Sequence, residues 1–201
     1  MALKLITPPA VTPISLAEAR LHLRVDGTEE DSLIEGLIQA ATQHIDGADG
    51  WLGRALVTQT WELQLDEFPR SAIEIPLPPL QSIVSVKYID PDGVEQTLGT
   101  EGYAVDNVSV PGWIVPAAAG WPATMCTINA VKIRFVAGYA GDVNSSPVDL
   151  AAGVPAPIKA ALKLLLGTWF SQRESVVIGQ TPTEMPMAVQ ALLAPYKLWR
   201  F

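Results

Sequence analysis

The chain has 201 residues, 49% of them apolar, with 13 basic against 21 acidic side chains and a net charge of −8. That length allows one ordinary core, with an insertion at most. The sparse charge leaves more apolar surface than a lone domain of this size needs, which favours self-association. An acid excess excludes a protein that wraps nucleic acid, because phosphate contacts need Lys and Arg clusters.

The charge is uneven. Residues 1–54 carry four basic and eight acidic groups, 55–150 carry four and eleven, and 151–201 carry five and two, so the net values are −4, −7 and +3. A basic closing stretch on an acidic body fits an acidic protein surface better than a polyanion. Cys126 is the only cysteine, which excludes an internal disulfide and any cysteine-based metal cluster, and a buried small hydrophobe is its expected role. No apolar run reaches the length of a membrane span, and the first residues lack a signal-peptide pattern, so no membrane is expected and a cytoplasmic site of synthesis is.

An extended, Pro-rich lead-in runs to Pro13. Ser15-Leu-Ala-Glu18 is a capping box that opens a short helix to about Arg24, with Leu16, Ala19 and Leu23 as its apolar stripe. Asp26-Gly27 turns the chain, and Thr28 is expected to cap a second helix whose first turn holds acids at 29, 30 and 31. Leu33, Ile34, Leu37, Ile38, Ala41, Ile45, Ala48 and Leu52 keep its apolar face for about six turns, to a stop at Gly53.

From Ala55 the period becomes two, with Val57, Gln59, Trp61, Leu63 and Leu65 on one side. Further short strands are expected over 72–75, 82–89, 94–98, 103–106, 108–115 and 128–137, with Asp90-Pro-Asp-Gly93 as a hairpin turn. The stretches 117–122 and 138–153 read as irregular connections. Prolines 155 and 157 then stand where a first helical turn tolerates them, and Ile158 to Phe170 is the most apolar run in the chain. Its apolar surface extends most of the way round, so this helix must be covered on several sides. A last helical stretch, 187–193, precedes Pro195-Tyr-Lys-Leu-Trp-Arg-Phe201. Helices, strands, then helices give an α+β fold: a small helical frame (1–54 and 141–201) with an antiparallel β block (55–140) inserted into it.

The usual chemical signatures are missing from the sequence. His22 and His44 each stand alone on a helix without the partner four residues away that a zinc-binding helix needs. Gly138-Tyr-Ala-Gly141 has neither a P-loop ending nor dinucleotide spacing. Asp90 to Glu101 has the length of a calcium loop but places Val94 and Glu95 where a ligand and a glycine belong. No acid/base pair, nucleophile elbow or cofactor motif stands out, so no catalytic residue, metal or cofactor is assigned. Trp113 and Trp121, in Pro/Gly-rich connections, and Trp199 and Phe201, at the end of the basic stretch, are the residues most suited to contact another chain.

The order of these features resembles the head-to-tail connector, or adaptor, proteins of long-tailed bacteriophages, prophages and gene transfer agents. The residues that carry the resemblance are Ser15-Leu-Ala-Glu-Ala-Arg-Leu-His-Leu-Arg24, Glu29-Glu-Asp-Ser-Leu-Ile34 running to Trp51-Leu-Gly-Arg54, and Leu77-Pro-Pro-Leu-Gln-Ser-Ile-Val-Ser-Val-Lys-Tyr88. Val136-Ala-Gly-Tyr139, Val154-Pro-Ala-Pro-Ile-Lys-Ala-Ala-Leu162 and Leu193-Ala-Pro-Tyr-Lys-Leu-Trp-Arg-Phe201 complete it. The resemblance implies a structural protein, not an enzyme, of which about twelve copies form a ring beneath the portal protein and present a surface to the stopper or tail-completion protein. DNA would pass through that ring without sequence-specific binding, in the neck of a particle assembled in the bacterial cytoplasm.

By the same resemblance, Tyr196, Trp199, Arg200 and Phe201 are expected to contact the portal, through a tail that is disordered until it docks. Helix faces at Leu33, Leu37, Leu162 and Leu166 are expected to supply core and subunit contacts. The alternative is a carbohydrate- or protein-binding β module whose exposed tryptophans stack on a ligand.

Overall fold

A computed structural model describes residues 1–172 and 185–199. Its elements are β1 (Ala2–Thr7), α1 (Leu16–Leu23), α2 (Asp31–Ile45), β2 (Gln59–Leu65), β3 (Ile73–Ile75), β4 (Leu80–Ile89), β5 (Glu95–Leu98), β6 (Tyr103–Asp106), β7 (Gly112–Pro116), β8 (Val131–Ala137), α3 (Ala156–Ser171) and α4 (Met187–Leu193). The fold is α+β, as the periodicity implies. The chain divides into a β unit, residues 1–10 with 58–140, and a helical unit, 11–57 with 141–201.

In the β unit, an antiparallel five-stranded sheet has the order β1-β2-β8-β4-β5, and a three-stranded sheet the order β3-β7-β6. β8 is central because its alternation is cleanest: Val131, Ile133, Phe135 and Ala137 are fully buried. In register, Phe135 lies opposite Trp61 on β2 and Ile83 on β4, and Ile133 lies opposite Leu63 and Val86.

The other face of this sheet is a charge ladder. Arg134 lies opposite Glu62 and donates to it at 2.9 Å. Lys132 and Lys87 lie opposite each other, a like-charge pair that would repel. Glu95 on β5 resolves this by accepting from both, at 2.8 and 3.2 Å. Those bonds, first from Lys87 and then from Lys132, hold the Glu95 carboxyl below its ordinary pKa.

Several expectations are corrected here. The Pro-rich lead-in contains a strand, β1, which pairs with β2 at the sheet edge. Residues 108–111 are a loop, because the Asp106 carboxylate takes the amides of Val108 and Ser109 and turns the chain before β7 begins. The strand over 82–89 is expected to align Val84, Val86 and Tyr88 on one side, but the register of β4 against β8 shifts twice, around Gln81 and Val84, and Val84 is exposed while Val86 is fully buried. Cys126 is exposed, not buried.

In the helical unit, the capping box at Ser15 and Glu18 forms as expected, and Arg24 closes α1 in the left-handed region, at φ 58°. The second helix starts later and ends earlier than its apolar pattern implies. Thr28 only accepts a turn bond from Asp31, and Glu30 is the N-cap, without a side-chain cap bond. Asp31 instead pairs with Arg20 across the α1–α2 turn.

The helix stops at Ile45 because Asp46 leaves helical geometry and its carboxylate accepts the amide of Leu56 at 2.7 Å. α3 is the centre of this unit, with Ile158, Ala161, Leu162, Leu165 and Leu166 buried against the apolar faces of α2 and α4. Glu18 also receives a bond from Lys163 of α3 at 3.2 Å. Partial burial alone would raise the Glu18 carboxyl, but the Ser15 amide and the Lys163 ammonium outweigh it and hold the pKa below the ordinary glutamate value.

Two outcomes follow. Phe135→Ala removes the largest fully buried side chain of β8 and should lower unfolding free energy by about 3–5 kcal/mol in urea titration. The folded Glu18 value lies below the unfolded one, so its contribution is complete above about pH 4.3 and is lost as pH falls through the folded value. Glu18→Gln should therefore flatten the decline of the urea midpoint between about pH 5 and 3.

Candidate functional site

The site is built where α2 stops. Gly47, at φ 81°, turns the chain, and its amide bonds the carbonyl of Arg54 at 2.9 Å. Trp51 and Leu52 return their amides to His44 and Ile45 at 3.0 and 3.2 Å, which closes residues 46–54 into a compact turn on the end of α2. Gly50 is required there, since a Cβ would stand 2.2 Å from the Asp46 carbonyl oxygen.

Residues 194–199 lie on this turn. α4 runs into a 3₁₀ turn at Ala194–Tyr196, and Lys197 resumes extended geometry at φ −69°, ψ 128°. Two bonds fix the segment by its main chain. Arg54, itself only 8% exposed, donates from Nε to the Tyr196 carbonyl at 2.6 Å, and the Leu198 amide donates to the Leu52 carbonyl at 2.9 Å. The Lys197 ammonium then lies over two indoles, 4.1 Å from the ring centre of Trp51 and 4.7 Å from that of Trp199.

This placement corrects the expectation of a tail without structure before docking, because the segment to Trp199 is seated in its own helical unit. Tyr196 is half-buried and acts through its carbonyl, whereas Trp199 is 63% exposed. Arg200 and Phe201 lie outside the described residues. Of the helix positions, Leu162 and Leu166 are fully buried in the core of their own unit and have no surface to offer a neighbour. Leu33 is 39% exposed and Leu37 is half-buried, and Leu164 is the large side chain of α3 that reaches solvent. Trp51, Arg54, Lys197 and Leu198 were not singled out as a group. Their signal was faint: Trp51-Leu-Gly-Arg54 reads as a helix end, and nothing local says what its side chains meet.

No competing chemistry emerges. Among the described residues no group of three or more His, Cys, Asp or Glu could hold a metal, and no helix is long and apolar enough to cross a membrane. His44 packs edge-on against Trp169 at 6.1 Å, and Nε2 of His22 lies beside Gly167. Asp90 accepts the amides of Asp92 and Val94 and the Gln96 side chain, so it closes a hairpin.

A groove of about 760 Å³ runs between residues 11–18 and 147–151, and both of its carboxylates are engaged, Glu18 with Lys163 and Asp149 with the Ala151 amide. The tryptophans of the β unit do not form an open platform. Trp113 belongs to β7, and Trp121 stacks on Phe68 at 4.8 Å while donating from Nε1 to the Ser71 carbonyl. Those two placements count against a sugar-stacking module.

No curated protein matches the chain in sequence. In structure it matches chains described as the "Neck of empty GTA particle computed with C6 symmetry", at 23% identity and a TM-score of 0.76, and the "Virion of native gene transfer agent (GTA) particle", at 22% and 0.76. A third, from the "Neck of native GTA particle computed with C12 symmetry", matches at 21% and 0.71. Each match covers 100% of this chain and 97% of the other. Residues 13–101, which span α1, α2 and β2 to β5, match the family model described as "Phage gp6-like head-tail connector protein". That match agrees with the resemblance read from the residues: over 13–101 the chain is similar to the Phage gp6-like head-tail connector proteins, and over its whole length it shares the fold of the gene transfer agent chains.

Proposed function

We propose that about twelve copies of the chain form a closed ring in the neck of a phage-like particle or gene transfer agent. The ring lies beneath the portal protein and presents its other side to the stopper or tail-completion protein. The observation that carries this reading is the full-length correspondence in fold with gene transfer agent neck proteins, one of them in an assembly of C12 symmetry. Charge supports it as well. A net charge of −8 gives a ring that lets DNA through without gripping its phosphates.

In this reading Leu33, exposed on α2, and the half-buried Leu37 meet the neighbouring copy, while Leu162 and Leu166 stiffen the helical frame from within. Tyr196, Trp199, Arg200 and Phe201 engage the portal. Each contact is small, but a ring makes all of them at once, so a weak single site becomes a firm joint.

The test uses one exposed side chain. Trp199→Ala removes a residue that is 63% exposed and should leave the melting temperature within about 1 °C of wild type. It should also remove at least about 2 kcal/mol from each contact, as expected of an aromatic anchor, so that co-sedimentation with portal-bearing heads is lost. Unchanged co-sedimentation would contradict the role of this segment. Rings absent from electron micrographs of the wild-type complex would contradict the assembly.

A further inference from the structure

We infer that residues 51–54 form a preformed seat that sets the pose of Trp199, with Arg54 as the positioning residue. Trp51, Lys197 and Trp199 together then make one composite docking surface, for a partner that presents a carboxylate beside an apolar pocket. This deepens, and rests on, the reading of 196–201 as the portal contact. It adds Trp51, Arg54 and Lys197 to the site.

The geometry carries the inference in three steps. Both attachments of the segment are main-chain groups two residues apart, the Tyr196 carbonyl to Arg54 and the Leu198 amide to Leu52. In extended backbone, side chains alternate. Pinning 196 and 198 to the turn therefore sends Lys197 and Trp199 out together, while Leu198 stays against Gly53, its Cβ 3.6 Å from where a Gly53 Cβ would stand.

Among the described residues the Lys197 ammonium is held by ring faces and no carboxylate pairs with it: it sits over Trp51 at 4.1 Å and Trp199 at 4.7 Å. A cation bound to π faces keeps N–H donors for an anion, and both contacts strengthen when a partner excludes water. Residues 151–201 carry a net charge of +3, from five basic and two acidic side chains, on a chain of −8. The complementary partner surface is acidic, and Trp199 at 63% exposure is the apolar anchor that such a surface must house.

Arg54 makes the seat specific. Only 8% exposed, it supplies the donor that satisfies the Tyr196 carbonyl, and its removal takes that donor away and leaves the Leu198 amide as the remaining one of the two main-chain attachments.

The test is made on the full chain with portal-bearing heads. Hydrogen exchange at the Leu198 amide reads the seat, and head binding reads the surface. Arg54→Gln should speed Leu198 exchange by at least about tenfold. Trp51→Leu and Lys197→Met, at positions partly open to solvent, should keep the wild-type unfolding midpoint yet weaken head binding by about tenfold or more while Trp199 is intact.

If Trp199→Ala abolishes binding but Trp51→Leu and Lys197→Met bind like wild type, the composite surface is refuted and the portal-contact reading stands. If Leu198 exchanges as fast in wild type as in Arg54→Gln, the seat is refuted. Wild-type binding by Trp199→Ala would overturn the portal-contact reading itself.

Discussion

The hydrogen bond from the Leu56 amide to the Asp46 carboxylate, 2.7 Å long, decides what the closing part of the chain can do. An apolar pattern from Leu33 to Leu52 would otherwise continue as one straight helix and carry residues 51–54 away along its axis at about 1.5 Å per residue. Asp46 instead ends the helix, and Gly47 and Gly50 fold the next residues back so that Trp51 and Leu52 bond His44 and Ile45. The Leu52 carbonyl and the Arg54 guanidinium then face the segment that follows α4. A short polar side chain that bonds the backbone beyond the helix end, in competition with a further helical turn, thus holds the residues that make the seat.

That competition also explains what was legible in the sequence and what was not. α1, α3 and the 90–93 hairpin were readable because their signals are local: a capping box, prolines at the first helical turn, an Asp-Pro-Asp-Gly turn. The end of α2 was not, since Ala48 and Leu52 keep the helical period although they lie in a turn. The turn pairs Asp46-Gly47 and Asp49-Gly50 stand inside that period, and the Asp46 bond ten residues on shows which signal prevails. β1 was missed for a similar reason: six residues with a half-buried pattern become a strand only because β2 offers an open edge. The resemblance was legible because its evidence is the order of many local motifs, which survives errors at single boundaries.

The seat was illegible for a different reason. Trp51 and Trp199 are far apart in sequence, and nothing in either neighbourhood points to the other. The burial of Leu162 and Leu166 follows from the one property of α3 that was read correctly, its nearly all-round apolarity. A helix apolar on nearly every side is consumed by its own unit, and the large apolar side chains that the helices leave open are Leu21 on α1, Leu33 on α2, Leu164 on α3 and Met187 on α4.

Presenting a docking residue on a seat changes where the ordering entropy falls. Fixing the backbone of one residue costs about 1–2 kcal/mol, so a segment of several residues that orders only on docking sets a cost comparable to the gain from one aromatic anchor. Two main-chain bonds and the pairing of Lys197 with both indoles place that cost in folding, before the partner arrives. In a ring the difference is multiplied by the number of copies, because every copy must be ordered for the joint to close. In the proposed ring, a connector that seats its contact residues in advance would reach a firm joint with small, modestly apolar contacts.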